Sequence, residues 1–392
     1  MNPRRLVALA LSAGIGLQVL ALPIEPRFKA VTVDSNVGVG YGVTTADVDG
    51  DGKPDIVLCD AKQVAWYRNP GWEKHVIAEN LTTQDHVCVA AADIDGDGRA
   101  EIVVGAGWNP GDTTGSGALF YLLPGEDRTA RWEPVRLPHL PTMHRIRWVK
   151  EAARGWTLWS VPLHGVGNKD AKGEGVRIQR YLPPKDRRGT WAVETVADAW
   201  HKTHNFDPRP DFEGTVRSVF VGSAEGAFEL MLDPVRERAA IRSVGGPENG
   251  GVGEIRLLSE ATGTVAAISP MHGNELVVFH PPASGTAGPG RREVVDDSLI
   301  DGHALACGDL LGQGRPQIVA GWRAMGRPRT VKVGVALYIE AGGRWIKHRI
   351  DDDQMACEDL CLADLDADGR LDIVAAGRST RNLRIYLNET PR

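Results

Sequence analysis

Three short segments of the 392-residue chain carry acidic residues at alternating positions around glycines. The three sets are Asp47, Asp49, Asp51 and Asp55; Asp93, Asp95, Asp97 and Glu101; and Asp364, Asp366, Asp368 and Asp372. Because glycine permits a sharp turn, this spacing points several carboxylates at one centre, and hard oxygen ligands of this kind suit Ca²⁺. We therefore predict structural calcium loops, in which a bound ion stabilises the turn by offsetting carboxylate repulsion.

Histidine, glutamate and tyrosine recur at a nearly fixed distance before these segments. Tyr41 and Glu358 lie six residues before the first aspartate of their segments, and His86 lies seven before Asp93. Imidazole and carboxylate groups that converge from several strands can bind a transition-type divalent ion such as Zn, Mn or Fe. A metal-free acid/base cluster is the alternative. The predicted ligands, with His303 and His86 foremost, are His86, His144, His204, Glu254, His303 and Glu358.

A second tier of chemically capable residues follows the predicted second strands. Its members are Trp108, His164, His272, Arg323 and Arg378. Six of the eleven histidines fall in the two tiers, which favours a functional site over isolated packing roles. For catalysis or substrate binding we predict Tyr41, His164, His272, Arg323 and Arg378. Two further histidines, His75 and His348, recur on an outer strand and are interpreted as packing residues.

The elements that must position these residues are short strands in repeated units. Each acidic segment joins a short apolar strand to a β-branched strand, and two more strands follow, as in a propeller blade. The first aspartates fall at 47, 93, 309 and 364, and the 216-residue gap divides into four steps of 54. The blade from Asp309 has lost the acidic pattern, with Leu311, Gln313 and Gln317 in its place. We predict three degenerate blades near 144–200, 201–250 and 251–298, and an all-β, seven-bladed β-propeller with calcium-type Asp/Gly turns that forms one domain over 22–392.

The repeated segments resemble the FG-GAP/VCBS family of β-propellers. In such a fold the innermost strands surround a central channel whose mouth binds ligands. The resemblance implies that the residue before each inner strand is the place to look for chemistry. It also implies that the acidic loops are structural.

A second resemblance concerns Val295–Arg323 and Asp353–Tyr386, which are similar to the propeller domain of aldos-2-ulose dehydratase/isomerase. That family dehydrates 1,5-anhydro-fructose and glucosone-type ketosugars. Its members carry cupin-like domains after the propeller, whereas this sequence reaches Arg392 directly after the last predicted blade. The resemblance therefore implies the elimination activity without the isomerase activity.

Three functions remain open from the residues. The first is a metal-assisted lyase or dehydratase that performs β-elimination on an oxidised sugar, either a keto sugar or a uronic sugar. The second is a non-catalytic, calcium-stabilised propeller that binds glycans or proteins, since a fold does not fix a function. The third is another propeller enzyme, such as a dehydrogenase or phosphoesterase. We expect a carbohydrate as the small-molecule partner.

Composition and the N-terminal segment bear on partners and location. The net charge of −6 gives no basic face for nucleic acid, and five cysteines cannot form a complete disulfide framework. Arg4 and Arg5 precede an apolar run over 6–20, and small residues follow at a potential cleavage site after Ala21. We predict a cleaved signal peptide, 1–21, no membrane attachment afterwards, and a secreted or periplasmic protein. An uncleaved anchor helix is the alternative.

Overall fold

The computed structural model describes residues 25–170, 172–210, 214–233, 236–282, 290–324 and 331–391. Over these ranges it contains twenty-eight β-strands, β1 to β28, and one 3₁₀ turn at Glu248–Gly250. The all-β fold predicted from the sequence is therefore confirmed. No helix in these ranges is long and apolar enough to cross a membrane. The predicted signal peptide, 1–21, lies outside the described residues.

The described strands group into seven four-stranded antiparallel units, which we call units A to G. Unit A contains β2 (Gly42–Ala46), β3 (Asp55–Cys59), β4 (Gln63–Arg68) and β5 (Glu73–Glu79). Unit B contains β6 (Cys88–Ala92), β7 (Glu101–Ala106), β8 (Ala118–Leu123) and β9 (Glu133–Leu137). Unit C contains β10 (Met143–Glu151), β11 (Gly155–Pro162), β12 (Ile178–Leu182) and β13 (Ala192–Ala197).

The remaining units follow the same plan. Unit D contains β14 (Thr203–Pro210), β15 (Val216–Ser223), β16 (Gly226–Met231) and β17 (Ala240–Gly245). Unit E contains β18 (Ile255–Ser259), β19 (Thr264–Ser269), β20 (Glu275–His280) and β21 (Arg291–Asp296). Unit F contains β22 (Gly302–Gly308), β23 (Gln317–Trp322), β24 (Gly334–Ala341) and β25 (Arg344–Asp352). Unit G contains β26 (Cys357–Ala363), β27 (Asp372–Gly377), β28 (Leu383–Asn388) and β1 (Phe28–Asp34).

Consecutive strands are hydrogen-bonded neighbours within each unit, and two pairings depart from this plan. A single parallel pair, Glu151 with Val216, joins the first strand of unit C to unit D. Unit G takes its fourth strand from the opposite end of the chain, because β1 pairs antiparallel with β28. This pairing ties the two ends of the described chain together.

The first strands of the units contact one another in a closed sequence, from β2 through β6, β10, β14, β18, β22 and β26 back to β2. Four-stranded units arranged radially about a central channel are the architecture of a β-propeller. The starts of the first strands therefore meet at one mouth of the channel. The acidic segments, which follow the first strands, lie toward the other end.

The core lies between the faces of neighbouring units. Second strands such as β3, β7 and β23 are buried along their whole length, and they read as continuous apolar runs because sheets cover both faces. Fourth strands such as β5 and β17 carry exposed polar residues. Burial thus falls from the inner strands to the outer strands of each unit.

A recurring polar clasp joins neighbouring units at their outer strands. Asp34 of β1 accepts hydrogen bonds from Tyr67 Oη at 2.7 Å and Lys74 Nζ at 2.9 Å in unit A. Asp351 of β25 accepts from Tyr386 Oη and Arg384 Nη1, both at 2.9 Å, in unit G. In each case an aspartate on the outermost strand accepts a hydrogen bond from the hydroxyl of a tyrosine on the third strand of the next unit. The clasp fixes the spacing of units whose inner ends form the channel.

Candidate functional site

Four predicted site residues occupy equivalent β-bulges at the start of inner strands. The strand register shifts at this point in β10, β14, β22 and β26. The unpaired residues are His144, His204, His303 and Glu358. A bulge bends its strand and redirects the extra side chain, and bulges are common beside active sites.

Three imidazole rings meet at this mouth of the channel, and we call His204, His272 and His303 the histidine trio. One ring nitrogen from each lies within 4.8 Å of those of the other two. Nε2 of His204 and Nε2 of His272 are 2.7 Å apart. The ring centroid of His303 lies 5.1 Å from that of His204 and 4.9 Å from that of His272. Since the rings come from units D, E and F, only the ring of units brings them together.

Electrostatics keep the trio neutral, the form in which imidazole binds a metal. Burial lowers the pKa of all three rings, and the charge of Arg323 lowers the pKa of His272 and His303 further. Nδ1 of His303 lies 2.6 Å from the carbonyl oxygen of Glu358. Because a carbonyl can only accept, Nδ1 carries the hydrogen and Nε2 presents its lone pair.

His272 was predicted as a catalytic residue, whereas the structure brings it into the predicted metal group. It lies in the loop between β19 and β20 with a left-handed φ of 57°. It is the solvent-exposed member of the trio, while His204 and His303 are buried. Two rings of the trio, His204 and His303, thus lie on inner strands, and the third, His272, lies on a loop at the solvent side of the site.

Glu254 lies behind His204 and is not a member of the trio. Its Oε1 is 3.1 Å from Nδ1 of His204, and its Oε2 accepts a hydrogen bond from Asn205 Nδ2 at 2.5 Å. Arg145 and Arg256 approach the same carboxylate at 3.6 and 3.4 Å. Only 1% of Glu254 is exposed, so these partners surround it. The predicted ligand is thus a carboxylate that lies beside His204, although Nδ1 and Oε1 are not aligned for a hydrogen bond.

Glu358 is bound by the two arginines that were predicted to hold substrate. Arg323 Nη1 donates to Oε2 at 2.7 Å, and Arg378 Nη1 donates to Oε1 at 2.8 Å. Arg323 Nε also donates to Asp301 at 3.1 Å. Both oxygens of Glu358 are therefore engaged by guanidinium groups. The three residues brace the backbone that positions His303.

His144 lies beside the trio, whereas Tyr41 lies beside Asp85 and Arg378. The ring of His144 lies 4.6 Å from that of His204 and stacks on Trp108 at 5.0 Å. Nδ1 of His144 lies 2.8 Å from the carbonyl oxygen of His204, so its Nε2 presents a lone pair, which Arg145 Nη1 approaches at 3.4 Å. Burial and the charge of Arg145 lower the pKa of His144. Tyr41 donates to Asp85 Oδ2 at 3.1 Å, and Arg378 covers its ring at 5.1 Å. Burial raises the pKa of Tyr41 to about 12, which keeps its hydroxyl protonated.

His86 and His164 lie apart from the trio. His86 lies one residue further from its acidic segment than Tyr41 and Glu358 do, and no bulge absorbs this residue, because β6 begins at Cys88 and pairs with β7 without a register shift. Burial lowers the pKa of His86, and its charged neighbours are Asp60, Lys62 and Asp85. His164 follows β11 and pairs through its backbone with Lys202.

The sequence interpretation missed two polar residues at the site, Arg145 and Asn205. Each directly follows a bulge histidine and contacts Glu254. A bulge lets two successive residues turn toward the same side, which breaks the alternation of a regular strand. The sequence does show a polar residue after each of His144 and His204. Only the positions of the bulges reveal that these polar residues turn toward the site.

The acidic segments form three compact loops at the other end of the first strands. The groups with oxygens within 4.8 Å are Asp47, Asp49 and Asp55; Asp93, Asp95 and Glu101; and Asp364, Asp366 and Asp372. Asp51, Asp97 and Asp368 lie outside these groups and pair with Lys53, Arg99 and Arg370. In the first loop, Gly50 and Gly52 adopt φ values of 84° and 83°, so their N–H groups can donate to Asp47.

The last carboxylate of each loop is buried among like charges. Burial and then repulsion from neighbouring loop aspartates raise the pKa of Asp55 to about 6 and that of Glu101 to about 7. The same causes raise the pKa of Asp372 to about 6. A cation between the carboxylates would remove this repulsion. The oxygen-only composition of the three groups fits Ca²⁺.

Comparisons with known proteins agree with this architecture. Residues 35–104 match the FG-GAP-like repeat family, and residues 89–122 match the FG-GAP repeat family. A comparison with curated protein sequences finds no significant match. The molecule is therefore a β-propeller that carries FG-GAP repeats.

Solved structures of low sequence identity share the fold. A chain of the mitotic checkpoint complex is 12% identical with a TM-score of 0.57, and 98% of each chain is covered. The β-propeller domain of Cps50 (Swd1) from Myceliophteria thermophila is 10% identical, with a TM-score of 0.54 over 92% of this chain and 99% of that one. The GH74 enzyme of Niastella koreensis is 18% identical, with a TM-score of 0.51 over 91% of this chain and 44% of its own. At these identities the likeness extends to the fold alone.

Proposed function

We propose that the protein is a metal-assisted lyase that performs β-elimination on an oxidised sugar, keto or uronic, at the mouth of the channel. One observation carries the proposal: ring nitrogens of His204, His272 and His303, from three separate units, lie within 4.8 Å of one another. The resemblance of units F and G to the propeller of aldos-2-ulose dehydratase/isomerase supports the same reaction class.

The trio fits a divalent transition-type ion such as Zn, Mn or Fe. Three protein ligands with a fourth position left for water or substrate are typical of catalytic zinc sites. Glu254 lies against Nδ1 of His204, and a carboxylate behind a ligand histidine fixes the ring orientation and raises its basicity. A bound ion would polarise the carbonyl of the sugar.

We assign the two proton transfers of the elimination to His144 and Tyr41. Nε2 of His144 takes the proton from the carbon beside the carbonyl, and the C–H electron pair forms the new C=C bond. The C–O bond to the leaving group breaks, and the leaving oxygen receives a proton from the hydroxyl of Tyr41. The raised pKa of Tyr41 suits it to the role of acid, since it stays protonated at neutral pH. Trp108 stacks on His144 and limits the movement of its ring.

The test is elimination from 1,5-anhydro-fructose and from digalacturonate, followed by the ultraviolet absorbance of the conjugated carbonyl product. His303→Ala should lower the rate by at least about 10²-fold, because a Lewis acid supplies several kcal/mol to such a barrier. His280→Ala is the control, since that ring pairs with Glu293 on an outer strand. Equal activity of the His303→Ala protein with unchanged metal content would leave a calcium-stabilised binding propeller as the better account.

We further propose that the seven units are the blades of one closed propeller over 22–392 and that the three acidic loops bind structural calcium. The closed sequence of contacts between first strands and the pairing of β1 with β28 support the blade count. Anomalous scattering from a calcium-soaked crystal tests both statements at once. Six or eight blades, or no peak at the loops, would contradict them.

We also propose that the protein is exported after cleavage of residues 1–21. The apolar run behind Arg4 and Arg5 supports this. N-terminal sequencing of protein recovered from the periplasm or medium should begin near Leu22. Exported protein that begins at Met1 would contradict cleavage.

A further inference from the structure

A cleft of about 460 Å³ lies between the loops after β7 and β11 and the start of β14. The residues that matter for its chemistry are Thr113, His164, Asn168, Lys169, Asp170 and Lys202. Lys202 stands two residues before His204 in the chain. His164 N donates to Thr142 Oγ1 at 3.0 Å, and Thr142 stands two residues before His144. The cleft therefore adjoins the site where the proposed elimination takes place.

Two buried polar atoms in this cleft have no protein partner among the described residues. Asn168 has no exposed surface; its Nδ2 donates to the carbonyls of Glu174 and His201, both at 3.1 Å, while Oδ1 is unpaired. Nδ1 of His164 is also buried without a partner. A buried polar atom that bonds neither protein nor ligand costs free energy, so such atoms usually face a ligand or ordered water.

The charge of the cleft is positive. Neither Lys202 nor Lys169 has a carboxylate within ion-pair distance over the described ranges, and Asp170 is the one acidic residue of the lining. Burial lowers the pKa of His164, and the charge of Lys202 lowers it further. The same charge acts in the same direction on His204 and His272. The positive charge of Lys202 thus acts on histidines of both the cleft and the trio.

We propose that this cleft binds the carboxylate-bearing sugar next to the reacting one, so that the substrate is a uronic-acid glycan and not a neutral ketosugar. Lys202 and Lys169 bind the carboxylate, a sugar hydroxyl donates to Oδ1 of Asn168, and a second hydroxyl bonds Nδ1 of His164. The inference deepens the proposed function and rests on it for the identity of the reacting unit. A single ligand of this kind would provide partners for Oδ1 of Asn168, for Nδ1 of His164 and for both lysines.

The test compares the binding of digalacturonate, neutral galactobiose and sulfated galactobiose by titration calorimetry at one ionic strength. Wild-type protein should bind digalacturonate about 10-fold or more tightly than galactobiose, the ratio expected when charge-assisted hydrogen bonds are added. Lys202→Gln should remove most of this difference and leave galactobiose binding unchanged. Lys169→Gln should do the same to a smaller extent, because Lys169 is the more exposed lysine.

Lys332→Gln is the matched control, since that lysine pairs with Asp352 on the outer strand of unit F. Equal affinity of the wild-type protein for the acidic and neutral disaccharides would contradict the proposed role of the cleft. An unchanged preference for digalacturonate in a Lys202→Gln protein of unaltered melting temperature would contradict it as well. Equal binding of the sulfated and carboxylated sugars would overturn its carboxylate preference. His303→Ala should retain the preference for digalacturonate. Wild-type protein that binds digalacturonate selectively but performs no elimination would refute the proposed reaction and leave the cleft standing.

Discussion

Units A, B and G carry acidic loops at the far end of their first strands, whereas units C to F supply the histidines at the near end. Asp47, Asp93 and Asp364 begin the loops, while His144, His204, His272 and His303 come one each from the four units without them. The two features lie at opposite ends of the same set of inner strands. The units that lack the acidic loops are thus the ones that place these four histidines at the mouth of the channel.

Unit F shows that the loop can fold with one of its four acidic residues, Asp309. Leu311 N donates to Gln317 Oε1 at 3.0 Å, the counterpart of the 2.9 Å bond from Val48 N to Asp55 Oδ2 in unit A. Gly314 N donates to Asp309 as Gly52 N does to Asp47. The turn therefore keeps these two hydrogen bonds with one carboxylate and one amide as acceptors. The additional carboxylates of units A, B and G are the ones that the proposed calcium ion would join.

Unit C replaces the loop with a cation from the chain itself. Glu151 ends β10, where the loop aspartate begins in other units, and its Oε2 lies 3.0 Å from Arg180 Nη1. Arg180 also contacts Glu194 at 2.6 Å, and only 1% of its surface is exposed. A buried guanidinium here does for two glutamates what calcium is proposed to do for the loop aspartates. In unit C a side chain balances the charge of the carboxylates, whereas in units A, B and G a bound ion is proposed to do so.

The largest effect is expected from Arg180→Met in unit C. The change leaves Arg154 as the cationic partner of Glu151 and Glu194, at 3.8 and 3.7 Å, while Glu151 keeps its hydrogen bonds from Thr157 and Trp159. Removal of one partner from a buried ion pair costs about 3–5 kcal/mol. Urea unfolding should show this loss in calcium and in chelator alike. A loss that calcium reverses would mean that unit C also uses a metal.

Asp49→Ala in unit A should have the next largest effect, and only when calcium is present. A ligand at a hundredfold excess over its dissociation constant stabilises the native state by about 2.7 kcal/mol, so its loss lowers the melting temperature in calcium buffer. In chelator only the partly exposed pair with Arg68 is lost, which is worth about 0–1 kcal/mol. Asp366→Ala should behave alike. Gln313→Ala in unit F is the control, and an equal effect of Asp49→Ala in both buffers would contradict the calcium loops.

The pH dependence of stability should differ with and without calcium. Without the ion, the folded-state pKa values of Asp55, Glu101 and Asp372 lie above their usual values. Their contribution to stability is then fully present at low pH and is lost as pH rises through about 6 to 7. The free energy of unfolding in chelator should therefore rise as pH falls across this window, and calcium should abolish the rise. Asp372→Asn should weaken the effect, and identical pH profiles in both buffers would count against it.

The smallest effect is expected from Ala367→Gly in unit G. Ala367 has a φ of 60°, at the place where units A and B have Gly50 and Gly96 with φ values of 84° and 82°. An L-residue in this region is strained by about 1–2 kcal/mol, part of which the greater freedom of glycine in the unfolded chain offsets. The melting temperature should rise slightly. The substitution Gly50→Ala in unit A should lower it, and a fall in both proteins would contradict the strain.

The sequence predicted the strand repeats and the positions that become bulges, because both follow from spacing along one unit. His144, His204, His303 and Glu358 align by their distance from the loop, whether or not the loop retains its charge. The prediction of His86 as a ligand was misled by the same reliance on spacing. An insertion of one residue before Asp93 can form a bulge or extend a loop, and spacing does not distinguish the two.

Pairings between units were beyond the reach of the sequence. That Arg323 binds Glu358, and that Glu254 lies beside His204, depends on side chains from neighbouring units. The sequence contains no periodic signal for such contacts. His272 was separated from the predicted ligands for the same reason, since it reaches the trio from a loop and not from an inner strand.

The most direct test of the central claim is the metal content of protein washed with a calcium-selective chelator. The account predicts about one transition-type ion per chain in the wild-type protein, as three imidazole ligands require. It predicts loss of that ion in His204→Ala and His303→Ala, with calcium-dependent stability unchanged, and no loss in Asp49→Ala. A wild-type protein without such an ion, or histidine variants that retain it, would contradict the metal centre at the mouth of the channel.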